Sequence, residues 1–143
     1  MVMVTREQST PAARAATVYI VDADAGVRSG LRSLLQTLDV KVETFRSAEE
    51  FLRSFSVGIP GCLITEVQLP GMSGLELQEQ LRALRVDLPV IVLATDADVQ
   101  SAVRAMHLGA LDFVEKPFVE RVVLSRVQQA LCLDRSTYKP QHQ

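Results

Sequence analysis

The chain has 143 residues, of which 48% are hydrophobic and 22% charged, so it is large enough to form one domain with a buried core. Its formal net charge of −2 and its pI near 5.7 give no electrostatic footprint for nucleic acid, and its two cysteines and two histidines argue against a zinc site. No apolar run approaches the length of a membrane span, and no signal-type apolar core opens the chain, so we expect a cytoplasmic protein without membrane contact.

The predicted elements alternate between strands and helices. Residues 1–16 have no apolar period and are predicted to form a mobile extension. After them, short apolar or alternating runs are typical of strands, and segments with apolar residues at helical spacing are typical of helices. The predicted strands are Thr17–Val21, Val40–Phe45, Cys62–Glu66, Val90–Ala94 and Leu111–Glu115. The predicted helices begin at Asp24, Ser47, Ser73, Thr95 and Val119, and the last runs to about Leu133 before a polar tail of residues 134–143.

Five strands alternating with five helices through short loops predict an α/β domain, residues 17–133, with a doubly wound (βα)5 parallel sheet. Right-handed crossovers favour the flavodoxin-like strand order 2-1-3-4-5. In that order the first and third strands are neighbours, so Asp22 and Glu66 are expected to lie side by side at one crevice. We expect the same crevice to be lined by Ala94, Thr95 and Lys116.

Five motifs occur in a specific order along these elements. They are Val-Asp at 21–22, Leu-Pro-Gly-Met-Ser-Gly at 69–74, Ala-Val-Arg-Ala-Met at 102–106, Gly-Ala-Leu-Asp-Phe at 109–113 and Val-Glu-Lys-Pro-Phe at 114–118. The set resembles the receiver domain of two-component response regulators, most closely the FixJ-type branch. The resemblance implies a third-strand aspartate that accepts a phosphoryl group from a histidine kinase, and an acidic pair that binds Mg²⁺ with it. It also implies a Thr or Ser and a Lys that contact the phosphoryl oxygens.

Three of these five polar positions are changed in this sequence. The phosphoacceptor position is Glu66, the second acid is Ala23 and the Thr/Ser position is Ala94, whereas Asp22 and Lys116 are retained. The carboxylate of Glu66 extends about 1.5 Å farther than that of an aspartate. Mg²⁺ demands near-octahedral oxygen ligands, and only Asp22 remains of the acidic pair. We therefore expect a degenerate pocket with weak or absent Mg²⁺ binding, no other cofactor and no enzymatic activity.

Two residues beside the changed positions could supply the missing groups. On a strand, a shift of one residue turns the side chain to the other face, so Thr95 is expected to cap the next helix instead of replacing the hydroxyl missing at Ala94. Asp24 is likewise expected to cap the first helix instead of replacing the acid missing at Ala23.

The groups that remain are a carboxylate and an ammonium. Glu66 is longer than aspartate and shorter than phosphoaspartate, so its carboxylate could partly occupy the phosphoryl position and pair with Lys116; the alternative is an ion pair without regulatory content. The resemblance places Phe113 at the switch position. Val119 and Val122 lie on an output face with the fourth helix and fifth strand, through which a homodimer or partner would bind; alternatively, these valines pack on the sheet.

The favoured function is an atypical receiver that signals through contacts with a sensor kinase or an output partner, independently of phosphorylation. One alternative is a receiver that is still phosphorylated, on Glu66 or a neighbour. Another is the receiver half of a transcription regulator whose DNA-binding domain is not part of this chain. A flavodoxin-like cofactor binder is disfavoured, because Asp22, Ala23 and Asp24 stand where a phosphate loop would need Ser, Thr and Gly.

Overall fold

The computed structural model describes residues 16–96 and 98–138, and five strands alternate with five helices in these ranges. The strands are β1 Thr17–Val21, β2 Lys41–Phe45, β3 Gly61–Glu66, β4 Val90–Ala94 and β5 Asp112–Glu115. The helices are α1 Ala25–Leu35, α2 Ala48–Ser54, α3 Gly74–Ala83, α4 Val99–His107 and α5 Glu120–Tyr138. Residues 1–15 of the predicted extension and residues 139–143 of the predicted tail lie outside the described residues.

All five strands form one parallel sheet in the order β2-β1-β3-β4-β5, which confirms the predicted fold class and strand order. Val21 at the end of β1 is in register with Thr65 of β3, so Asp22 and Glu66 come next to each other at the carboxyl edge. Glu66 is in turn in register with Leu93 of β4. The reversal of strand order between β1 and β3 therefore opens a crevice at these residues.

Two of the predicted helix caps form beside this crevice. The Oδ1 of Asp24 accepts the backbone N–H groups of Gly26 at 2.8 Å and Val27 at 3.3 Å, which confirms Asp24 as the cap of α1. At the start of α3, Ser73 Oγ accepts the N–H of Glu76 at 3.1 Å, and Glu76 Oε1 accepts the N–H of Ser73 at 2.9 Å. These caps fix where α1 and α3 leave the edge of the sheet.

Two predicted helix boundaries are wrong. Helix α4 is capped by Asp98, whose carboxylate accepts the N–H of Ser101 at 2.7 Å, and not by Thr95. Helix α5 continues to Tyr138 instead of ending near Leu133, so residues 134–138 of the predicted tail are helical. No glycine or proline interrupts α5 before Pro140, so nothing in the local sequence ends the helix earlier.

The core lies on both faces of the sheet, because every residue of β1, β3 and β4 is buried. Tyr19 and Val21 pack on one face with residues of α2 and α3, and Val18 and Ile20 pack on the other with residues of α1 and α5. Apolar strands covered on both faces are typical of parallel sheets. None of the helices within the described ranges is long and apolar enough to cross a membrane.

Candidate functional site

The carboxylate of Glu66, the last residue of β3, lies at the centre of the crevice, and its side chain is only 3% exposed. Its Oε1 lies 2.7 Å from the Nζ of Lys116 and accepts the hydroxyl of Thr95 at 3.0 Å. Its Oε2 accepts the backbone N–H of Gln68 at 3.0 Å. Both carboxylate oxygens are therefore held by donors of the chain itself.

Lys116 bonds a second carboxylate as well. Its Nζ donates to Oδ2 of Asp22 at 2.8 Å, and Oδ1 of Asp22 accepts the N–H of Asp24 at 2.9 Å. The backbone N–H of Lys116 continues the sheet by donating to the carbonyl of Ala94 at 2.8 Å, and the peptide bond to Pro117 is cis. The ammonium thus lies between two acids at the carboxyl ends of adjacent strands, and it offsets their mutual repulsion.

The pKa values of Glu66 and Lys116 follow from this arrangement. Burial alone would raise the pKa of Glu66, but the hydrogen bond and charge of Lys116, with the Gln68 N–H and the Thr95 hydroxyl, hold that pKa below its ordinary value. Burial alone would lower the pKa of Lys116, but bonds to Asp22 and Glu66 raise it above its ordinary value. Each partner stabilises the charged form of the other, so the pair is ionised at neutral pH.

The structure brings the predicted polar residues together, but Thr95 does not take its predicted role. Asp22, Glu66 and Lys116 meet at the crevice, whereas Ala23 and Ala94 bring no polar side chain to it. The hydroxyl of Thr95 donates to Glu66 and caps no helix, so that prediction is wrong. The alternation argument failed because β4 ends at Ala94, and strict alternation does not extend past the end of a strand.

The acids of the crevice do not form a donor set that fits Mg²⁺, which requires near-octahedral oxygen coordination. Asp22 and Glu66 already share the ammonium of Lys116, and the carboxylate of Asp24 accepts N–H groups of α1. Ala23 offers no ligand. Across residues 16–96 and 98–138, no group of three His, Cys, Asp or Glu side chains is placed to hold a metal ion.

Sequence reasoning missed the anchoring of the loop that follows Glu66. Oε2 of Glu49, in the first turn of α2, accepts the N–H of Met72 at 2.8 Å, and the N–H of Gly74 donates to the carbonyl of Val67 at 2.8 Å. These contacts hold both sides of the loop whose Gln68 N–H binds the Glu66 carboxylate. The contact of Glu49 joins residues far apart in sequence, so no local pattern indicated it.

The predicted output face is partly exposed. Val123 and Val127 of α5 are fully buried and belong to the core. Val119 is 55% exposed, while Val122 is half-buried and Phe113 packs against the core from a half-buried position. Helix α4 adds an apolar row at helical spacing, made of Val99, Val103 and Met106, which are 77%, 49% and 46% exposed.

Comparison with known proteins gives consistent matches. The response regulator receiver domain family matches residues 18–128. The response regulator protein TodT of Pseudomonas putida is 41% identical over 120 residues, which are 84% of this chain and 53% of TodT. The transcriptional regulatory protein FixJ of Azorhizobium caulinodans is 41% identical over 117 residues, 80% of this chain and 54% of FixJ. The solved structure of the response regulator StyR matches with a TM-score of 0.84 and 40% identity, over 89% of this chain and 64% of that chain. This chain thus spans about half the length of the curated relatives.

Proposed function

Because this chain belongs to the response regulator receiver domain family, we propose that it is an atypical receiver of two-component signal transduction that acts through protein contacts without being phosphorylated. The observation that carries the proposal is the 2.7 Å contact between Lys116 Nζ and Glu66 Oε1. The lysine that would neutralise a phosphoryl oxygen in this family already pairs with the side chain at the acceptor position and with Asp22. A receiver of this kind is a signalling module and not an enzyme.

The geometry of Glu66 supports the loss of phosphoryl transfer. In-line attack needs a carboxylate oxygen aimed at the phosphorus, but Oε1 is turned towards Lys116 and Thr95, and Oε2 is held by the Gln68 N–H with one lone pair left. The additional methylene also moves the carboxylate by about 1.5 Å, and misplacements of about 1 Å can lower a rate on the order of 100-fold. The carboxylate of Glu66 therefore lies farther out than that of an aspartate and is held by hydrogen bonds from the chain itself.

The polar groups present in the crevice support the same conclusion. Phosphoryl transfer relies on a cation to neutralise charge on the transferred group. In this pocket the cation beside the acceptor position is the ammonium of Lys116, which is fixed by Asp22 and Glu66. A hydrated Mg²⁺ would have to displace that ammonium and would find no carboxylate at Ala23. We therefore include the absence of a Mg²⁺ cofactor in the proposal.

The contacts proposed for this receiver lie on the face formed by α4, β5 and α5. Its exposed apolar residues, which are the row on α4 and Val119 just before α5, fit a homodimer or an output protein, and a sensor kinase is a further partner. No direct contact with nucleic acid is proposed for this domain, because the net charge is −2. A cytoplasmic location stays a prediction.

A second candidate is a receiver that is still phosphorylated. The retained Asp22 and Lys116 favour it, and the chain is 41% identical to the response regulator TodT over 120 residues. A third possibility starts from the name of FixJ, a transcriptional regulatory protein, of which the matched segment covers 54%. This receiver would then regulate a DNA-binding segment that lies outside the match.

Incubation of the protein with acetyl phosphate and Mg²⁺, followed by intact-mass spectrometry, tests the proposal. We expect no phosphoryl adduct on the wild-type chain. A receiver with aspartate at the acceptor position, treated in parallel, shows that the donor is active. An adduct on Glu66 would overturn the proposed function in favour of the second candidate.

A further inference from the structure

Thr95 makes a contact that its position in the sequence did not predict. It follows Ala94, the last residue of β4, and precedes Asp98, which caps α4. Its hydroxyl does not cap α4; it donates instead to Oε1 of Glu66, in strand β3, at 3.0 Å. Thr95 is an exposed residue, so burial of its side chain does not explain why the hydroxyl points into the crevice.

The contact depends on the length of the side chain at position 66. Oε1 of Glu66 receives both the Thr95 hydroxyl and the Lys116 ammonium, and Oε2 receives the N–H of Gln68. An aspartate carboxylate would end about 1.5 Å nearer the backbone. A bond of 3.0 Å would then stretch beyond the range of a hydrogen bond unless the chain moved.

We propose that Thr95 is a positioning residue that selects glutamate at position 66 and holds its carboxylate against Lys116. This inference rests on the proposed function and deepens it, since it explains how the chain keeps Glu66 paired with Lys116 in the absence of a phosphoryl group. In this chain position 94 carries no hydroxyl, and the hydroxyl one residue farther on, at Thr95, donates to the carboxylate of the longer acid.

A thermodynamic cycle between Thr95 and Glu66 tests the assignment. Thr95→Val removes the hydroxyl but keeps the shape of the side chain, and Thr95→Ser keeps the hydroxyl. Because a hydrogen bond contributes about 1 kcal/mol, we expect Thr95→Val to raise the unfolding equilibrium constant about fivefold in urea denaturation. In the Glu66→Asp background the same substitution is expected to change it by less than about twofold, since the bond is already lost.

A second readout separates positioning from general stability. The ¹³Cδ resonance of Glu66 and the ¹⁵Nζ resonance of Lys116, measured at neutral pH, should shift in Thr95→Val and stay close to wild type in Thr95→Ser. Equal effects of Thr95→Val in both backgrounds, or a Thr95→Ser variant that behaves like Thr95→Val, would overturn the assignment. Neither result would contradict the proposed function. That function would be contradicted by a different result, the labelling of the wild-type chain by acetyl phosphate.

Discussion

Nζ of Lys116 lies 2.7 Å from Oε1 of Glu66, although strand β4 separates the two strands that these residues end or follow. The pair therefore ties β3 to the segment after β5 across the carboxyl edge of the sheet. Both side chains are nearly enclosed: that of Glu66 is 3% exposed and that of Lys116 is 14% exposed. Removal of one partner from such a pair leaves the other charge poorly solvated, which is more damaging than the loss of an exposed ion pair.

The first prediction concerns the pH dependence of stability. The pKa of Glu66 is below its ordinary value of 4.5 in the folded protein, despite burial, because Lys116 and the Gln68 N–H stabilise the carboxylate. The resulting stabilisation is present above pH 4.5 and is lost as the pH falls through the lower folded value. We expect the difference in free energy of unfolding between wild type and Glu66→Gln to be largest near neutral pH and to shrink in acid.

Urea denaturation at a series of pH values measures this difference. Glu115→Gln is the matched control, because Glu115 is exposed at the same edge of the sheet and ends β5. It should be no more than slightly destabilised at any pH in the series. A difference between wild type and Glu66→Gln that stays constant from neutral pH into acid would contradict the proposed ion pair.

A second prediction concerns metal binding. We expect no saturable binding of Mg²⁺ in the low-millimolar range, because Lys116 occupies the space between Asp22 and Glu66 and Ala23 offers no ligand. Titration of Mg²⁺ followed by amide NMR shifts measures this directly. Saturable shifts confined to the amides around Asp22 and Glu66 would show that the ammonium can be displaced.

A third prediction concerns the close approach of α3 to β3. A Cβ on Gly74 would lie 2.2 Å from the carbonyl oxygen of Glu66, so Gly74→Ala must push the start of α3 away from the acceptor position. We expect a loss of about 1–3 kcal/mol in the free energy of unfolding. Gly30→Ala in α1 is the control: a Cβ there meets no atom within 4 Å, and alanine should stabilise the helix by about 0.5–1 kcal/mol. Opposite signs in the two variants are the expected result.

The fold was predictable because its signals are local and repeated. Each buried strand is a short apolar run, and each strand-helix junction at β1 and β3 carries a capping residue such as Asp24 or Ser73. Right-handed crossovers then left few strand orders, of which 2-1-3-4-5 is the simplest. The end of α5 was wrong because the charged residues after Leu133 are compatible with helix, and polarity alone does not end one.

The site was predictable only as far as the ends of the strands. The meeting of Asp22, Glu66 and Lys116 follows from strand order, and the pairing of Lys116 with Glu66 follows from their opposite charges. The contact of Thr95 depends on the path of the backbone after Ala94, which no periodicity specifies. The contact of Glu49 with the N–H of Met72 likewise depends on how α2 packs beside the loop after β3.

A fourth prediction concerns assembly. If the exposed row on α4 is an interface, the protein should self-associate or bind an output partner without any phosphoryl donor. Sedimentation at several concentrations measures self-association. Val103→Glu should abolish self-association, because it places a charge within the row, where Val103 is 49% exposed. Val57→Glu is the control, since Val57 is 69% exposed but lies between α2 and β3. A monomer at all concentrations would eliminate the homodimer and leave contacts with an output protein or a sensor kinase.

The fifth prediction asks which of the changed positions prevents phosphorylation. If Glu66 were the sole cause, Glu66→Asp would restore labelling by acetyl phosphate. We expect no labelling, because this variant still lacks a carboxylate at Ala23 for Mg²⁺ and a hydroxyl at Ala94 for the phosphoryl group. Groups that act as a unit are strongly non-additive, so the repair of one should recover little.

The triple variant Ala23→Asp, Glu66→Asp and Ala94→Thr is expected to regain Mg²⁺-dependent labelling, because Asp22 and Lys116 are retained and already lie 2.8 Å apart in the crevice. Intact-mass spectrometry after treatment with the donor detects the phosphoryl adduct, and a parallel sample without Mg²⁺ shows whether the metal is required. Labelling of Glu66→Asp alone would mean that Thr95 or Asp24 can serve the reaction from its present position. If the triple variant fails although it binds Mg²⁺, the three side chains are not the only cause, and the backbone of the pocket departs from the geometry that in-line attack requires.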